Sequence, residues 1–446
     1  MSDDRKGGLP GSAFGRTARL AALPVGYAGR ATLGVGRRIA GRPADAVLAE
    51  VQRRTADQIF SVLGQLKGGA MKFGQAMSIF EAALPEELIG PYRESLTKLQ
   101  DAAPAMPVAL VDQVMRGEFG DFWREEFAEF EQTPVAAASI GQVHRAVWKD
   151  GRPVAVKIQY PGAAKALRAD LRQIGRLSRL FGVLAPGLDV KPLIAELQAR
   201  VEEELDYSLE AAAQAAFAEA YAGDPDYVVP QVVAHSERAL VTEWIDSDGS
   251  LAGVIADGSQ AERDRLGNLY ARFLLGSPRR AGLLHADPHP GNFRPLADGR
   301  LGIVDFGAVA RLDGGFPPVI GVLLRQAVAG DAEAVSAGLR AEGFIRPKVR
   351  VEAEAISAYI APFFEPATLE SFTFSRAWLR DQLSRVTSPG VEGMGTAMKV
   401  NLPPEYLLIH RVWMGAIGVL SQLEATAPFR RILVEELPGF ADEGQD

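Results

Sequence analysis

The chain contains no cysteine. Disulfides, thiolate metal centres and cysteine nucleophiles are therefore excluded. It has no run of about 18 uncharged apolar residues, the length a membrane-crossing helix needs. The nearest stretches, Pro317 to Leu324 and Val412 to Leu420, are bounded by Arg325, Arg411 and Glu424 and read as buried helices. No secretory signal is visible. Met1-Ser2-Asp3-Asp4 is polar, and Leu20 to Tyr27 is short and interrupted. Net positive charge is missing too. A formal net charge of −8 argues against a nucleic-acid binder as a whole. These absences lead us to expect a cytoplasmic protein that touches a membrane surface at most.

The remaining composition is that of a folded protein. Hydrophobic content is 47% and charged content 23% over 446 residues, enough for a core of ordinary size. The length favours two or three domains, or one two-lobed domain with additions. Residues 1–43 read as a flexible basic arm, with Arg16, Arg19, Arg30, Arg37, Arg38 and Arg42 and no acid among them. Such an arm either meets anionic lipid or is a solvated tail. Residues 44–130 have helical periodicity, through Val47, Val51, Thr55, Ile59 and Val62. Pro85, Pro91, Pro104 and Pro107 divide the later part.

Residues 131–246 change character. Val143 to Trp148 and Val154 to Ile158 are strand-like and flank the turn signal Asp150-Gly151, so a β-hairpin is expected. A helix follows Pro161 to about Phe181, and a second, long one runs from near Leu193 to about Tyr221. Val228 to Val233 and Ala239 to Ile245 read as further strands. Residues 247–446 read as helical, apart from the loop at Asp287 and a short strand, Leu301 to Val304. The whole is expected to be α+β: a two-lobed, protein kinase-like fold with an N-terminal helical extension.

The kinase-like part of that expectation comes from three residues. Asp287 sits in His285-Ala286-Asp287-Pro288-His289-Pro290-Gly291-Asn292, with Asn292 five positions later. Asp305 follows in Val304-Asp305-Phe306-Gly307. This order and spacing is that of a phosphoryl-transfer site. One carboxylate orients or deprotonates a nucleophile, while the Asn and the second carboxylate hold Mg²⁺ on a nucleotide. Upstream, Val154-Ala155-Val156-Lys157 is a strand ending in a Lys placed to meet the phosphates. Such a Lys needs a carboxylate partner on a helix. Glu203, Asp206 and Glu210 share a helical stripe and Glu204 lies off it, so spacing permits two ion pairs without choosing between them. His285 and His289 are separated by Pro288 and share no helical face, so neither is assigned as a metal ligand.

Two familiar devices are missing. Where a glycine-rich phosphate loop belongs, the chain has Ala136-Ala137-Ala138-Ser139-Ile140-Gly141-Gln142. Ala137, Ala138, Ser139, Gly141 and Gln142 are the candidates for covering the phosphates, with Gly141 alone free to adopt positive φ. After Gly307 there is no Ala-Pro-Glu string, so a peptide-docking platform is not indicated. Leu240 to Ile245 resembles an interlobe hinge. The backbone groups of Glu243 and Ile245 would read an adenine edge there, with Thr242 behind it.

Four strings together resemble the UbiB-like atypical kinases, a family associated with ubiquinone biosynthesis and lipid metabolism. They are Lys72-Phe73-Gly74-Gln75, the Ala-rich loop, Glu204-Leu205-Asp206-Tyr207 with Glu210, and the Asp287 to Gly307 core. The resemblance implies that Lys157 pairs with Glu210 and Lys72 with Glu204. It also implies that the helix bearing Lys72 lies over the site. The family's membrane-anchored bacterial members carry C-terminal transmembrane helices, and no such helix is read here. ATP and Mg²⁺ are the implied cofactors, and a small molecule, a lipid-related compound or water the implied acceptor. Two other readings stay open: a small-molecule phosphotransferase of the aminoglycoside or choline kinase type, and a nucleotide-binding regulatory scaffold with little catalysis.

Overall fold

The computed structural model describes residues 105–138, 140–165, 168, 190–387, 394–397 and 399–441. The basic arm, Lys72 with its neighbouring string, and Ser139 lie outside the described residues.

The first half is built on an antiparallel sheet. Its strands are β1 (Phe127–Phe130), β2 (Ala136–Ala138), β3 (Gly141–Trp148), β4 (Pro153–Gln159), β6 (Val232–His235) and β7 (Ala239–Glu243). The order is β1-β3-β4-β7-β6, with β2 hairpinned onto β3. Gly151 supplies the positive φ (91°) that closes the β3–β4 turn. Strand β4 alternates. Val154, Val156 and Ile158 are buried on one face with Val111, Val114 and Met115 of helix α1 (Val108–Phe119), while Lys157 points to the other face.

Two expectations of continuous elements are corrected. The helix expected from Leu193 to Tyr221 is two helices, α2 (Val190–Glu204) and α3 (Tyr207–Ala220). Asp206 breaks it by adopting extended backbone and capping α3, its side chain accepting from the Ser208 N–H at 2.9 Å. The strand expected over Val228 to Val233 is split around Pro230, whose missing N–H cannot join a ladder. Its first part, β5 (Tyr227–Val228), pairs in a separate sheet with β10 (Leu301–Ile303), and its second part is β6. This crossover ties the two halves together.

The second half is helical around α4 (Gln260–Ala281). Ser259 caps its start, accepting from the Glu262 N–H, and Gly282 ends it at φ 67°. Leu266, Tyr270, Phe273 and Leu274 of α4 are fully buried. They meet the apolar faces of α8 (Leu407–Leu423) and α9 (Phe429–Glu436) in one large core. Between them lie α5 (Pro318–Val328), α6 (Ala332–Ala341) and α7 (Ala353–Phe364). Short strands beyond the expected one also appear: β8 (Leu283–His285) with β11 (Val309–Arg311), and β9 (Phe293–Pro295) beside β10. Among the described residues, no helix is long and apolar enough to cross a membrane.

Three histidines sit inside this fold, and burial lowers each below its ordinary value of 6.5: His144, His285 and His410, the last to about 4. The unfolded chain therefore takes up these protons first. Stability is full above about pH 6.5 and falls as the pH drops toward about 4. We expect the denaturant midpoint to decrease between about pH 7 and about pH 5, and His410→Phe to flatten that slope. A midpoint that stays constant over that interval contradicts the assignment.

Candidate active site

Lys157 projects from β4 into the cleft between the two halves. Its Nζ lies 2.7 and 2.9 Å from the two carboxylate oxygens of Glu210 and 3.3 Å from Oδ1 of Asp305. Glu210 is in the first turn of α3, where the helix dipole favours a carboxylate, and its side chain is only 5% exposed. The ammonium also sits 5.1 Å from the centroid of the Tyr207 ring. Burial pulls the pKa of Lys157 down, but Asp305 and Glu210 outweigh it and raise the value, so Lys157 stays a cation.

The acids that sequence spacing left open have separate places. Glu210 takes Lys157. Asp206 caps α3, and Glu203 pairs with the half-buried Arg200 at 2.6 Å. The break at Asp206 means that the three never formed one helical stripe. Glu204 is the last residue of α2, and its family-implied partner Lys72 lies outside the described residues.

The loop bearing Asp287 is held from below. His285 is fully buried among Phe217, Phe273, Phe293 and Phe306, and its Nε2 lies 2.9 Å from the backbone oxygen of Asp305. Burial lowers its pKa and keeps the ring neutral, so Nε2–H donates to that carbonyl. Asp305 needs the support, because it is one of two non-glycine residues with positive φ among the described residues, at 64°. Such backbone costs on the order of 1 kcal/mol. The Gly307 N–H donates to its Oδ1 at 3.2 Å and completes the turn. His289 is used locally, its Nδ1 accepting from the Gly291 N–H.

Asp287 is gripped by two donors. Asn292 Nδ2 donates to Oδ2 at 2.8 Å, and Arg411 donates to Oδ1 at 3.0 Å. Sequence reasoning missed Arg411, taking it only as the boundary of an apolar run. The signal was present: a guanidinium inside a largely apolar helix must find an anion when that face is buried. Tyr207 was missed as well, although it lies between Lys157 and the Ala-rich hairpin.

That hairpin is tight, with Ala138 paired to Gly141 and Ala137 to Gln142. The expected reason for Gly141 is corrected. Its φ is not positive. The position instead requires closeness, since a Cβ there would meet the carbonyl oxygen of Ile158 at 2.2 Å. The expectation for Gln142 is corrected as well. Its side chain is buried, accepting from the Met106 N–H at 2.7 Å and bonding His144 at 2.8 Å, so it braces the sheet and is turned away from any phosphate. At the hinge, the Glu243 N–H is committed to the Gln231 carbonyl at 2.9 Å, and Trp244 N–H to that of Pro153 at 3.0 Å. The Glu243 N–H is therefore taken by the sheet. Ile245 follows just beyond the end of β7.

The donor set fits a nucleotide-borne Mg²⁺. Asp305 offers carboxylate oxygen, and Asn292 keeps its carbonyl oxygen while its amide nitrogen holds Asp287. No cluster of three His, Asp or Glu side chains able to hold a metal occurs among the described residues.

The sheet, the Lys157–Glu210 pair and the Asp287 loop give the arrangement of a kinase-like fold. A family model described as the ABC1 atypical kinase-like domain matches residues 98–338. The chain is 30% identical to "Atypical kinase coq-8, mitochondrial" of Caenorhabditis elegans, over 77% of this chain and 47% of that protein. It is 32% identical to "Atypical kinase COQ8, mitochondrial" of Saccharomyces cerevisiae, over 56% of this chain and 50% of that protein. The chain thus spans about half the length of these curated relatives. A solved structure described as the complex of Rv3197 with erythromycin, from Mycobacterium tuberculosis, superposes with a TM-score of 0.67 at 45% identity, covering 90% of this chain and 100% of that one. Matched by the family model over more than half its length, the chain belongs to the ABC1, or UbiB-like, atypical kinase family.

Proposed function

We propose that the chain binds ATP with Mg²⁺ and hydrolyses it, or transfers its terminal phosphate to a small-molecule or lipid-related acceptor, in support of isoprenoid-quinone or lipid metabolism. The observation that carries this reading is the set of three charges at one point: Lys157 against both Glu210 and Asp305. The Mg²⁺ would supply charge neutralisation on the phosphates. Asp305 and Asn292 would hold it, and Lys157, fixed by Glu210, would meet the phosphates. The Glu243 carbonyl and Ile245 N–H would receive the adenine edge. Ala137 and Ala138, with Ser139 and Gly141, would cover the phosphates.

Asp287 is the group that meets the acceptor. Each of its oxygens accepts one protein donor and keeps capacity for a substrate hydroxyl or a water. Arg411 and Asn292 fix its orientation, so positioning and electrostatics supply most of the rate. The arginines of the basic arm, Arg16 to Arg42, would add peripheral contact with anionic membrane. A second reading, macrolide binding, has one support: the 45% identity to a protein solved with erythromycin. Calorimetric titration with erythromycin tests it, and absence of heat in a saturating titration removes it.

Two variants test the main reading. Asp305→Asn is expected to weaken Mg²⁺-dependent ATP binding by about tenfold or more in calorimetry, with cooperative unfolding retained. Undiminished affinity would sink the metal assignment. Asp287→Asn is expected to keep nucleotide affinity within a few-fold and to lower multiple-turnover phosphate release by about a hundredfold or more. Unchanged release would mean that Asp287 takes no part in the chemistry.

A further inference from the structure

The short sheet behind the catalytic loop has two faces. Strands β9 and β10 are antiparallel, with Phe293 opposite Ile303, Arg294 opposite Gly302 and Pro295 opposite Leu301. Phe293, Leu301 and Ile303 are fully buried in the core that α4 organises. Side chains alternate along a strand, so Arg294 and Gly302 face the other way. That face meets the segment joining the two halves: a Cβ on Gly302 would come within 3.0 Å of Ile245 Cδ1.

Arg294 is a cation without a counter-ion. It is half-buried, and no carboxylate pairs with it among the described residues. Its side chain makes one long hydrogen bond, donating to the Ser247 carbonyl at 3.5 Å. Burial pulls its pKa down, although a guanidinium stays charged at neutral pH. A partly desolvated guanidinium with most of its N–H groups uncommitted is short of partners, and a ligand in the cleft can supply them.

The surroundings suit the base of a nucleotide. Ala155 shares the cleft face of β4 with Lys157 and offers only a methyl group. The joining segment has few donors to give, because the Glu243 and Trp244 amides are committed to the sheet. The Trp244 ring is engaged as well: the Arg145 guanidinium carbon lies 5.1 Å from its centroid. A base whose phosphates lie at Lys157 and whose edge meets Ile245 therefore has Ala155 toward one face and Arg294 toward the other. Its edge finds little to bond, while a planar cation waits at its face. Guanidinium groups stack on aromatic rings.

We propose that Arg294 is a base-binding residue, that its guanidinium stacks on the face of a purine, and that the site consequently takes ATP and GTP alike. The inference rests on the nucleotide reading above and adds the residue that sets base preference. Adenine and guanine differ at their edges but share the two-ring face, and guanine O6 also accepts from a guanidinium. Recognition through the face is therefore tolerant between purines.

The test is calorimetry on the full chain with Mg²⁺ and four ligands: ATP, GTP, 2′-deoxy-ATP and inorganic tripolyphosphate, which carries phosphates without a base. ATP and GTP are expected to bind within about threefold of each other, and both about tenfold or more tighter than tripolyphosphate. Arg294→Gln should weaken ATP and GTP by about fivefold or more and leave tripolyphosphate within about twofold. Arg294→Lys, which keeps the charge and loses the planar fork, should fall between, and it carries the test if the Gln variant does not fold. 2′-Deoxy-ATP should lose as much as ATP. No loss for 2′-deoxy-ATP would put the guanidinium on the ribose, and an equal loss for tripolyphosphate would make the effect one of charge or folding; either overturns the proposal. So does a preference for ATP over GTP of about tenfold or more. An ATP-to-tripolyphosphate ratio unchanged by the substitutions removes this inference and leaves the nucleotide reading standing, whereas absence of binding by all four ligands removes both.

Discussion

The contact between Lys157 and Glu210 is the one on which the rest of the site depends. It joins β4 to α3, and through Asp305 it reaches the loop that follows β10. Two buried opposite charges are costly to desolvate, and removing one partner of such a pair costs about 3–5 kcal/mol. That asymmetry explains why the surrounding structure is so constrained. Asp206 must end α2 and start α3 so that Glu210 falls in the first turn. Val154, Val156 and Ile158 must fill the opposite face of β4 so that Lys157 points into the cleft. A shift of one residue in β4 would turn the ammonium into the apolar cluster beside α1.

Asp305 shows the same dependence from the other side. Its left-handed backbone is unfavourable on its own, and its side chain lies near a cation that Glu210 already engages. The geometry persists because His285 holds the carbonyl while Gly307 N–H and Lys157 hold the carboxylate. His285 in turn is fixed by four phenylalanine rings. The aromatic core below the loop therefore acts on the chemistry through one neutral imidazole. Burial of this imidazole outweighs the nearby Asp287 and Asp305 carboxylates and keeps the ring neutral.

How much of this was legible in the sequence depended on the length scale of each signal. The β3–β4 hairpin was readable because its turn carries Asp150-Gly151 and its strands alternate over several residues. The Asp287, Asn292 and Asp305 spacing was readable because chemistry restricts those residue types. The break between α2 and α3 was not read, because Asp206 looks like one more acid in an acidic helix until its side chain is seen capping Ser208. Strands β8, β9 and β11 are too short for any period to register. Gly141 was noticed for the wrong property: its absence of a side chain matters through the carbonyl of Ile158, a contact between strands that no local pattern encodes. Gln142 and Glu210 illustrate the same limit. Both are buried polar residues, yet one braces the sheet and the other faces the site, and only tertiary placement separates them.

Arg411 is the most distant of these cases in sequence and the closest to the chemistry. Asp287 needs to be held correctly turned, and Asn292 supplies only part of that. A second donor must come from outside the loop, since the loop itself is occupied by Pro288, Pro290 and the turn that His289 caps. Helix α8 can deliver it because Gly415 lets the helix approach Pro288 at a distance any side chain would forbid, while Tyr270 of α4 anchors the Pro288 carbonyl from the other side at 2.7 Å. The catalytic loop is thus clamped between α4 and α8. Its orientation is a property of the whole helical half, and any change in how α8 packs is felt at the carboxylate.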